Sequence, residues 1–231
     1  MAKKVKKSTT TQAEANVGEI FSKSERFIEK YKNQIMIGFA AIIVLVVAIL
    51  GIRQYYLIPK EVEAQNAIFP GENLLANQQW SLALNGDSAT YIGFLGIIDE
   101  YPHTTTATLA KAYAGVCLYH LGQYEEALDY LKKYSSNEKI IDPVITGLIG
   151  DCYVNMDNVE ESIKYFKEAA AKAANQYISP IYLKKAGLAY ENLSDFKNAV
   201  EVYNTIKSKY PNSQEAADID RYIYRATAQI K

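Results

Sequence analysis

The sequence has few of the residues from which metal and redox sites are built. Its 231 residues include only two cysteines, two histidines and one tryptophan. Cys117 and Cys152 form no CxxC pair, which argues against a zinc site and against a disulfide framework. His103 lies in a loop and His120 precedes a turn, so both are interpreted as polar surface residues. We therefore predict no bound metal and no cofactor.

Signatures of catalysis and of nucleic-acid binding are also missing from the sequence. It has no glycine-rich phosphate loop and no GxSxG motif. Asp99 and Glu100 are adjacent, so they lie on different faces of a helix and cannot act as a catalytic pair. The acidic part after residue 52 has no basic stripe, which argues against a nucleic-acid partner. We predict a protein that binds other proteins, has no small-molecule substrate and is not an enzyme.

One long apolar run divides the chain. Residues 35–52, from Ile35 to Ile52, contain no charge, and twelve of these eighteen residues are Ile, Val, Leu or Phe. At about 1.5 Å per residue the run spans roughly 27 Å, which matches the hydrocarbon core of a bilayer. Tyr55 and Tyr56 follow, where aromatic residues meet lipid headgroups. No small-residue cleavage site follows the run, so we predict a retained transmembrane helix over residues 35–57 rather than a cleaved signal peptide.

Charge is distributed unevenly on the two sides of this run. Residues 1–34 contain eight Lys and Arg against four Glu, whereas residues 53–231 contain seventeen against twenty-two Asp and Glu. The positive-inside rule then predicts a single-pass membrane protein with a cytoplasmic N-terminus and its large C-terminal part on the other side of the membrane. In a Gram-negative bacterium that other side is the periplasm.

The residues before the apolar run divide into two parts. Residues 1–12 are basic and rich in threonine, and we predict that they are disordered. Residues 13–34 place apolar side chains at helical spacing. Two interpretations stay open for them: an amphipathic helix on the cytoplasmic membrane surface, or an extension of the anchor helix.

A repeat of about 35 residues follows the anchor, and three glycines align it: Gly115, Gly150 and Gly187. Nine residues after each glycine come Tyr124, Val159 and Phe196. Twelve residues after come the small Ala127, Ser162 and Ala199, and sixteen after come the large Leu131, Phe166 and Tyr203. Small residues let the two helices of a hairpin approach closely, and large ones fill the space between them. Cys117 and Cys152 occupy equivalent small positions, so we interpret them as packing residues rather than a disulfide.

This pattern resembles the tetratricopeptide repeat family. The resemblance implies an all-α fold, in which an N-terminal transmembrane helix precedes a right-handed α-solenoid of three to four hairpins within residues 58–231. The expected repeats cover residues 62–102, 108–141, 143–176 and 180–213, and a capping helix is expected over residues 214–230. In the first repeat, Pro70-Gly71 is expected to interrupt the first helix, either by kinking it or by ending it, and residues 81–89 are expected to form an inserted loop.

The order of these parts is similar to the YfgM-like family of bacterial inner-membrane proteins. The resemblance is carried by RFIEKYKNQIMIGFAAIIVLVVAILGIRQYY and by LALNGDSATYIGFLGIIDEYP. It implies an ancillary subunit of the SecYEG translocon, with translocon subunits, a periplasmic chaperone or an exported client as partners. The alternative function is a structural scaffold of another envelope assembly, for cell division or secretion.

Tetratricopeptide arrays bind partners in a concave groove lined by the first helix of each hairpin. By position in the repeat, the candidate groove residues are Ala112, Val116, Tyr119, Asp151, Lys184, Leu188 and Glu191. Ala112 and Val116 stand where members of the family that hold a carboxylate have Lys and Asn, so we expect no carboxylate clamp. The mixed surface suits a folded partner or an unfolded segment. Alternatively, the inserted loop or the terminal helix covers it.

Overall fold

The structure, a computed structural model, describes the backbone of residues 10–87, 90–136 and 138–230. Within these ranges it describes side chains from residue 30 onward. Residues 1–9 of the tail predicted to be disordered lie outside this part of the chain, whereas its residues 10–12 are helical, contrary to the prediction. The backbone forms two compact units, which divide between Ile58 and Pro59.

The first unit consists of one long helix, α1, over Thr10–Ile52, followed by a π-helical turn over Arg53–Leu57. The backbone of residues 13–34 is therefore continuous with that of the apolar run. In the described part of the chain, one helical stretch near the N-terminus is long and apolar enough to cross a membrane, with a mean hydropathy of 3.1 in its most apolar window. This property follows from length and composition, and it agrees with the predicted apolar helix at the N-terminus.

The second unit is built from antiparallel helical hairpins, and no strand occurs among its described residues. The all-α fold predicted from the sequence is confirmed. The helices are α2 (Ile58–Ala76), α3 (Trp80–Asn85), α4 (Gly93–Glu100), α5 (Thr105–His120), α6 (Tyr124–Leu131), α7 (Ile141–Asn155), α8 (Val159–Ala173), α9 (Ser179–Asn192), α10 (Phe196–Lys209) and α11 (Ile219–Thr227).

Glycines on the first helices explain the spacing of the repeat. A Cβ atom on Gly115, Gly150 or Gly187 would overlap the large side chain sixteen residues later, on the second helix of the same hairpin. These partners are Leu131, Phe166 and Tyr203, and all three are buried. The absence of a side chain at the glycine thus leaves the space into which the large side chain of the second helix packs.

The turn inside each hairpin has a left-handed residue seven positions after the glycine. In the three hairpins this residue is Gly122, Asp157 or Ser194, each with φ between 59° and 78°. Glycine adopts this conformation without strain, whereas residues with a Cβ adopt it less readily. The second helix begins two residues later, at Tyr124, Val159 or Phe196.

The first hairpin, which corresponds to the repeat predicted over residues 62–102, follows the same rules. Helix α2 continues through Pro70, and Gly71 packs against Phe94 and Tyr91 as the other repeat glycines pack against their partners. Seven residues after Gly71, Gln78 is left-handed with φ 59°. Two residues further on, Trp80 begins helix α3. The prediction of a loop over residues 81–89 was therefore wrong for its first half.

The second helix of this first hairpin is split into α3 and α4 by an inserted segment. Gly86 and Gly93 flank the insertion, and both have positive φ, 78° and 77°. Asp87 accepts hydrogen bonds from the amides of Thr90 and Tyr91, at 2.7 and 2.9 Å. The Tyr91 hydroxyl donates to the carbonyl of Ala83 on α3 at 3.0 Å. The hydrogen bond from Tyr91 thus attaches the end of the inserted segment to α3.

Glu61 joins α2 to the start of α5. Its carboxylate accepts hydrogen bonds from the Thr105 amide (2.7 Å), the Thr106 amide (3.1 Å) and the Thr106 hydroxyl (2.7 Å). Free amides at a helix N-terminus favour a negative charge. Burial alone would raise the pKa of Glu61, but the Thr106 hydroxyl and the two amides outweigh it and hold the pKa below the usual glutamate value.

We expect Glu61→Gln to lower the free energy of unfolding by about 1 kcal/mol at neutral pH, because a neutral amide cannot accept all three hydrogen bonds. A carboxyl group whose folded pKa is lowered stabilises the fold above its unfolded pKa and loses this contribution as pH falls. The difference between variant and wild type should therefore shrink in acid. Denaturant unfolding of the full chain across pH measures it. Glu63→Gln is the control, because Glu63 is exposed and pairs with Lys60 of the same helix.

The C-terminal residues form a shorter helix than predicted for residues 214–230. A 3-10 turn over Glu215–Asp218 precedes α11, which begins at Ile219. Ile219 and Ala226 are buried in one core cluster with residues of α10. The helix packs beside the last hairpin, as a capping helix does.

Candidate partner-binding surface

Helices α5, α7 and α9 are the first helices of the second, third and fourth hairpins. The surface that they form together is here termed the first-helix face. Asn155 of α7 donates to the Tyr119 hydroxyl of α5 at 3.5 Å, and the Tyr182 hydroxyl of α9 donates to the Val144 carbonyl at 3.4 Å. These contacts place α7 between α5 and α9.

Ion pairs connect the helices of this face at a constant separation of 34 residues. Lys185 of α9 contacts both carboxylate oxygens of Asp151 on α7 at 2.7 Å. Lys184 of α9 contacts Asp218 in the terminal 3-10 turn at 2.8 Å. The separation equals about one repeat, so each pair joins equivalent regions of neighbouring units.

Glu191 of α9 holds α11 in place. Arg225 donates to it through Nε and Nη2 at 2.9 and 2.8 Å, and the Tyr203 hydroxyl of α10 donates at 2.7 Å. Two parallel bonds between a guanidinium and a carboxylate fix the geometry as well as the distance. The terminal helix is thereby bound to α9 and α10 together.

The charged pair between Lys184 and Asp218 is mutually stabilising. Burial alone would lower the pKa of Lys184, but its hydrogen bond to Asp218 and the nearby Tyr222 raise it above the usual lysine value. The hydrogen bond from Lys184 lowers the pKa of Asp218. Both side chains are therefore charged at neutral pH, and each neutralises the other.

The structure places the predicted groove residues in three environments. Ala112 is 1% exposed and belongs to the core, so it does not line an accessible surface. Val116 and Tyr119 are partly buried, and Leu188 is exposed. The three charged candidates are engaged in the ion pairs described above: Asp151, Lys184 and Glu191.

Two shallow cavities lie on either side of α9. One, of about 290 Å³, is lined by Ile181, Lys184, Leu188 and the terminal turn. The other, of about 260 Å³, lies between α7 and α9 and is lined by Val154, Leu188 and Asn192 among others. Leu188 lines both cavities, so of the predicted residues it is the most accessible to a partner.

A row of apolar residues on this face was missed by the sequence prediction. Leu109, Val144 and Ile181 each stand six residues before a repeat glycine, on α5, α7 and α9. Val144 and Ile181 are exposed, and Leu109 is partly buried. The glycine alignment contains the signal for this row, because three apolar residues recur at one register position.

The two cysteines are inaccessible. Cys117 and Cys152 are free, completely buried thiols, and burial raises the pKa of each to about 12. Among the side chains that the structure describes, no group of three His, Cys, Asp or Glu is placed to hold a metal ion. In that part of the chain no buried polar side-chain atom lacks a hydrogen-bond partner.

We expect neither thiol to react with iodoacetamide in the folded protein at neutral pH, because the reactive thiolate form is suppressed. Both should react after denaturation, and the modified mass measures this. Leu121→Cys provides an exposed thiol as the positive control. Rapid labelling of the folded wild type would contradict the buried placement.

Comparison with known families agrees with the hairpin arrangement. Two models described as tetratricopeptide repeat match the chain, one at residues 113–137 and 184–213 and the other at residues 147–171. The three matches fall on the second, fourth and third hairpins. These three matched segments have the sequence pattern of tetratricopeptide repeats. The first hairpin lies outside the matches, and its second helix is the one that carries the insertion. No curated protein matches the sequence.

Solved structures share the tetratricopeptide architecture. The nearly identical TPR-like repeats of a kinesin light chain-type protein from Podosopora anserina superpose with a TM-score of 0.55 at 13% identity, covering 72% of this chain and 86% of that one. The MamA protein superposes with a TM-score of 0.50 at 15% identity, covering 74% and 91%. At such low identity these similarities establish the fold.

Proposed function

We propose that this chain is a non-catalytic adaptor, tethered to a membrane, that binds another protein on its first-helix face. The tetratricopeptide fold supports protein binding in general, since such arrays present side chains of successive first helices to one partner. The observation that carries the proposal is the exposure of apolar side chains on neighbouring first helices, while the charged residues between them are paired. Exposed apolar patches on soluble domains mark interaction sites.

The tether and its orientation are part of the proposal. The apolar stretch of α1 supports a membrane anchor, and the excess of Lys and Arg before it supports a cytoplasmic N-terminus. The repeats then lie in the periplasm of a bacterium with an inner membrane. Cysteine accessibility in intact cells tests this orientation: a cysteine introduced at Leu121 should react with an impermeant reagent, and one introduced at Thr10 should not.

We further propose that the partner belongs to protein export: a subunit of the Sec translocon, a periplasmic chaperone or an exported client. The resemblance to the YfgM-like family supports this choice. A tether beside the translocon would keep the first-helix face near segments that leave the channel.

In-cell crosslinking, gentle solubilisation and mass spectrometry of the co-purified proteins test this function. We expect translocon subunits or a chaperone to co-purify with the full chain. A truncated chain of residues 1–60 is the control: partners that it keeps bind the anchor, and partners that it loses bind the hairpins. Recovery of division or secretion proteins with no Sec component would contradict the export function and favour a scaffold of another assembly.

A further inference from the structure

The N-terminal ends of α7 and α9, together with the residues just before them, expose apolar side chains, here termed the apolar patch. Its members are Ile140, Ile141, Val144, Tyr177 and Ile181. Ile140 is 70% exposed and Tyr177 is 74% exposed, although both are large apolar or aromatic residues. Single exposed apolar residues need no explanation, but a cluster on two neighbouring helices indicates an interaction surface.

Two members of the patch belong to a row of apolar residues that crosses three helices. Val144 and Ile181 occupy the same register position on α7 and α9, and Leu109 occupies it on α5. The Tyr182 ring lies directly over Gly147, which lets α9 approach α7 closely at this level. Neighbouring packed helices lie about 8–10 Å apart, so the row offers an apolar contact at about that interval.

This interval matches an extended polypeptide. A chain in the polyproline II conformation advances about 3.1 Å per residue and repeats every third residue. Its side chains at every third position are therefore about 9 Å apart on one side of the chain. A segment of about seven residues would contact all three members of the row.

Cavities at both ends of the row give such a segment room. Near α5, a cavity of about 570 Å³ is lined by Leu109, Ile141 and Tyr134, together with several Thr and Ser hydroxyls. Near α9, Ile181 lines the cavity of about 290 Å³. Hydroxyl groups beside apolar side chains can bond the backbone of an extended segment, whose amides and carbonyls are unpaired.

The charges near the row restrict the ligand further. Lys184 and Lys185 are the cations beside Ile181, and each is already paired, with Asp218 and Asp151 respectively. A ligand with a carboxylate would have to compete for these lysines, and Glu138 and Glu215, which line the two cavities at the ends of the row, would repel it. An uncharged apolar segment leaves both ion pairs intact.

From these observations we propose that an extended, uncharged segment of the partner protein lies across α5, α7 and α9 and places apolar side chains, three residues apart, on Leu109, Val144 and Ile181. The inference rests on the proposed function and specifies the ligand of the same face. Because Lys184 and Lys185 stay paired, binding of an uncharged segment should change little with salt. An unfolded stretch of a protein has this chemistry.

Fluorescence anisotropy with the full chain in lipid nanodiscs tests the proposal. The probe is a labelled peptide of about nine residues with leucine at every third position in a Ser and Asn background, and its control has the same leucines adjacent. We expect the spaced peptide to bind about tenfold more tightly, with little change between low and high salt. Val144→Ser and Ile181→Ser should each weaken binding about tenfold. Leu121→Ser is the matched control, because Leu121 is 41% exposed, compared with 42% for Val144 and 41% for Ile181, and lies at the hairpin turn.

Other results would overturn the proposal in distinguishable ways. Equal binding of the two peptides would show that the row does not select spacing. A second contrary result would be that Val144→Ser and Ile181→Ser bind the spaced peptide as tightly as the wild type does, while Leu188→Ser binds it more weakly. The segment would then lie elsewhere on the first-helix face, and only its proposed position on the row would be wrong. A particle mass that falls when Val144 is replaced would identify a second copy as the occupant. Binding by detergent-solubilised protein but not by the nanodisc form would identify the lipid surface as the occupant. Failure of the proposed function itself is decided separately, by the crosslinking experiment.

Discussion

Gly187→Ala is expected to destabilise the protein by about 2 kcal/mol, although alanine is the better helix former. Alanine gains about 1 kcal/mol over glycine inside a helix. Its methyl group, however, would overlap the ring of Tyr203, which is completely buried and has no free space to enter. Overpacking of this kind costs about 1–3 kcal/mol, occasionally more, and the severe overlap here puts the cost at the upper end. Denaturant unfolding of the full chain measures the difference.

Gly96→Ala is the control for this prediction. Gly96 also lies inside a helix, but a Cβ there would meet only Ile92, an exposed residue of the preceding turn, at 3.0 Å. We expect a change near zero, because the gain in helix propensity offsets a small displacement of Ile92. A second variant, Gly187→Ala with Tyr203→Leu, should lose less than the sum of the two single changes. Full additivity would show that the glycine and the tyrosine do not pack on each other.

Glu191→Ala is expected to release helix α11 and to lower the free energy of unfolding by about 2–3 kcal/mol. The change removes three charge-assisted hydrogen bonds and leaves the buried Tyr203 hydroxyl without its acceptor. The Glu191 side chain is only 14% exposed, so water replaces the lost contacts poorly. Hydrogen exchange should accelerate over residues 219–227 more than over α5 or α7.

Lys207→Ala removes the other ion pair between the last hairpin and α11 and is the matched control. Lys207 and Asp220 are 55% and 57% exposed at the side chain, compared with 14% for Glu191. Exposed pairs of this kind contribute little to stability because water screens them. Equal acceleration of exchange in the two variants would mean that burial of the Glu191 cluster adds nothing to the attachment of α11.

The sequence was sufficient to predict the hairpins that follow the repeat without interruption. Aligning Gly115, Gly150 and Gly187 identified the buried partners sixteen residues later, because one close contact fixes both positions. The same rule applies to Gly71, but an insertion of seven residues lengthens its spacing to Phe94 from 16 to 23 positions, and the alignment on fixed spacing did not reveal this pair. Pro70 added to the error, because proline usually interrupts a helix, whereas here it is exposed within α2.

The candidate surface was less predictable from the sequence than the fold. Register positions indicate which face of a helix is involved, but they do not show which charges meet across neighbouring hairpins. Asp151, Lys184 and Glu191 are predicted to line the partner surface, and each contacts a residue 34 positions away in the same chain. Such pairing depends on how far one hairpin rotates relative to the next, which the spacing of residues does not specify.

Glycine substitutions at the left-handed turns of the hairpins should increase the stability of the protein. Only one of the four equivalent turn positions is a glycine, Gly122, and the others are Gln78, Asp157 and Ser194. A side chain in this conformation is strained, and glycine relieves the strain at little cost in a turn. These positions lie at the hairpin turns, far along each first helix from the row of Leu109, Val144 and Ile181. Substitutions at these turns can therefore change the stability of the array without altering the row that we propose as the ligand-binding site.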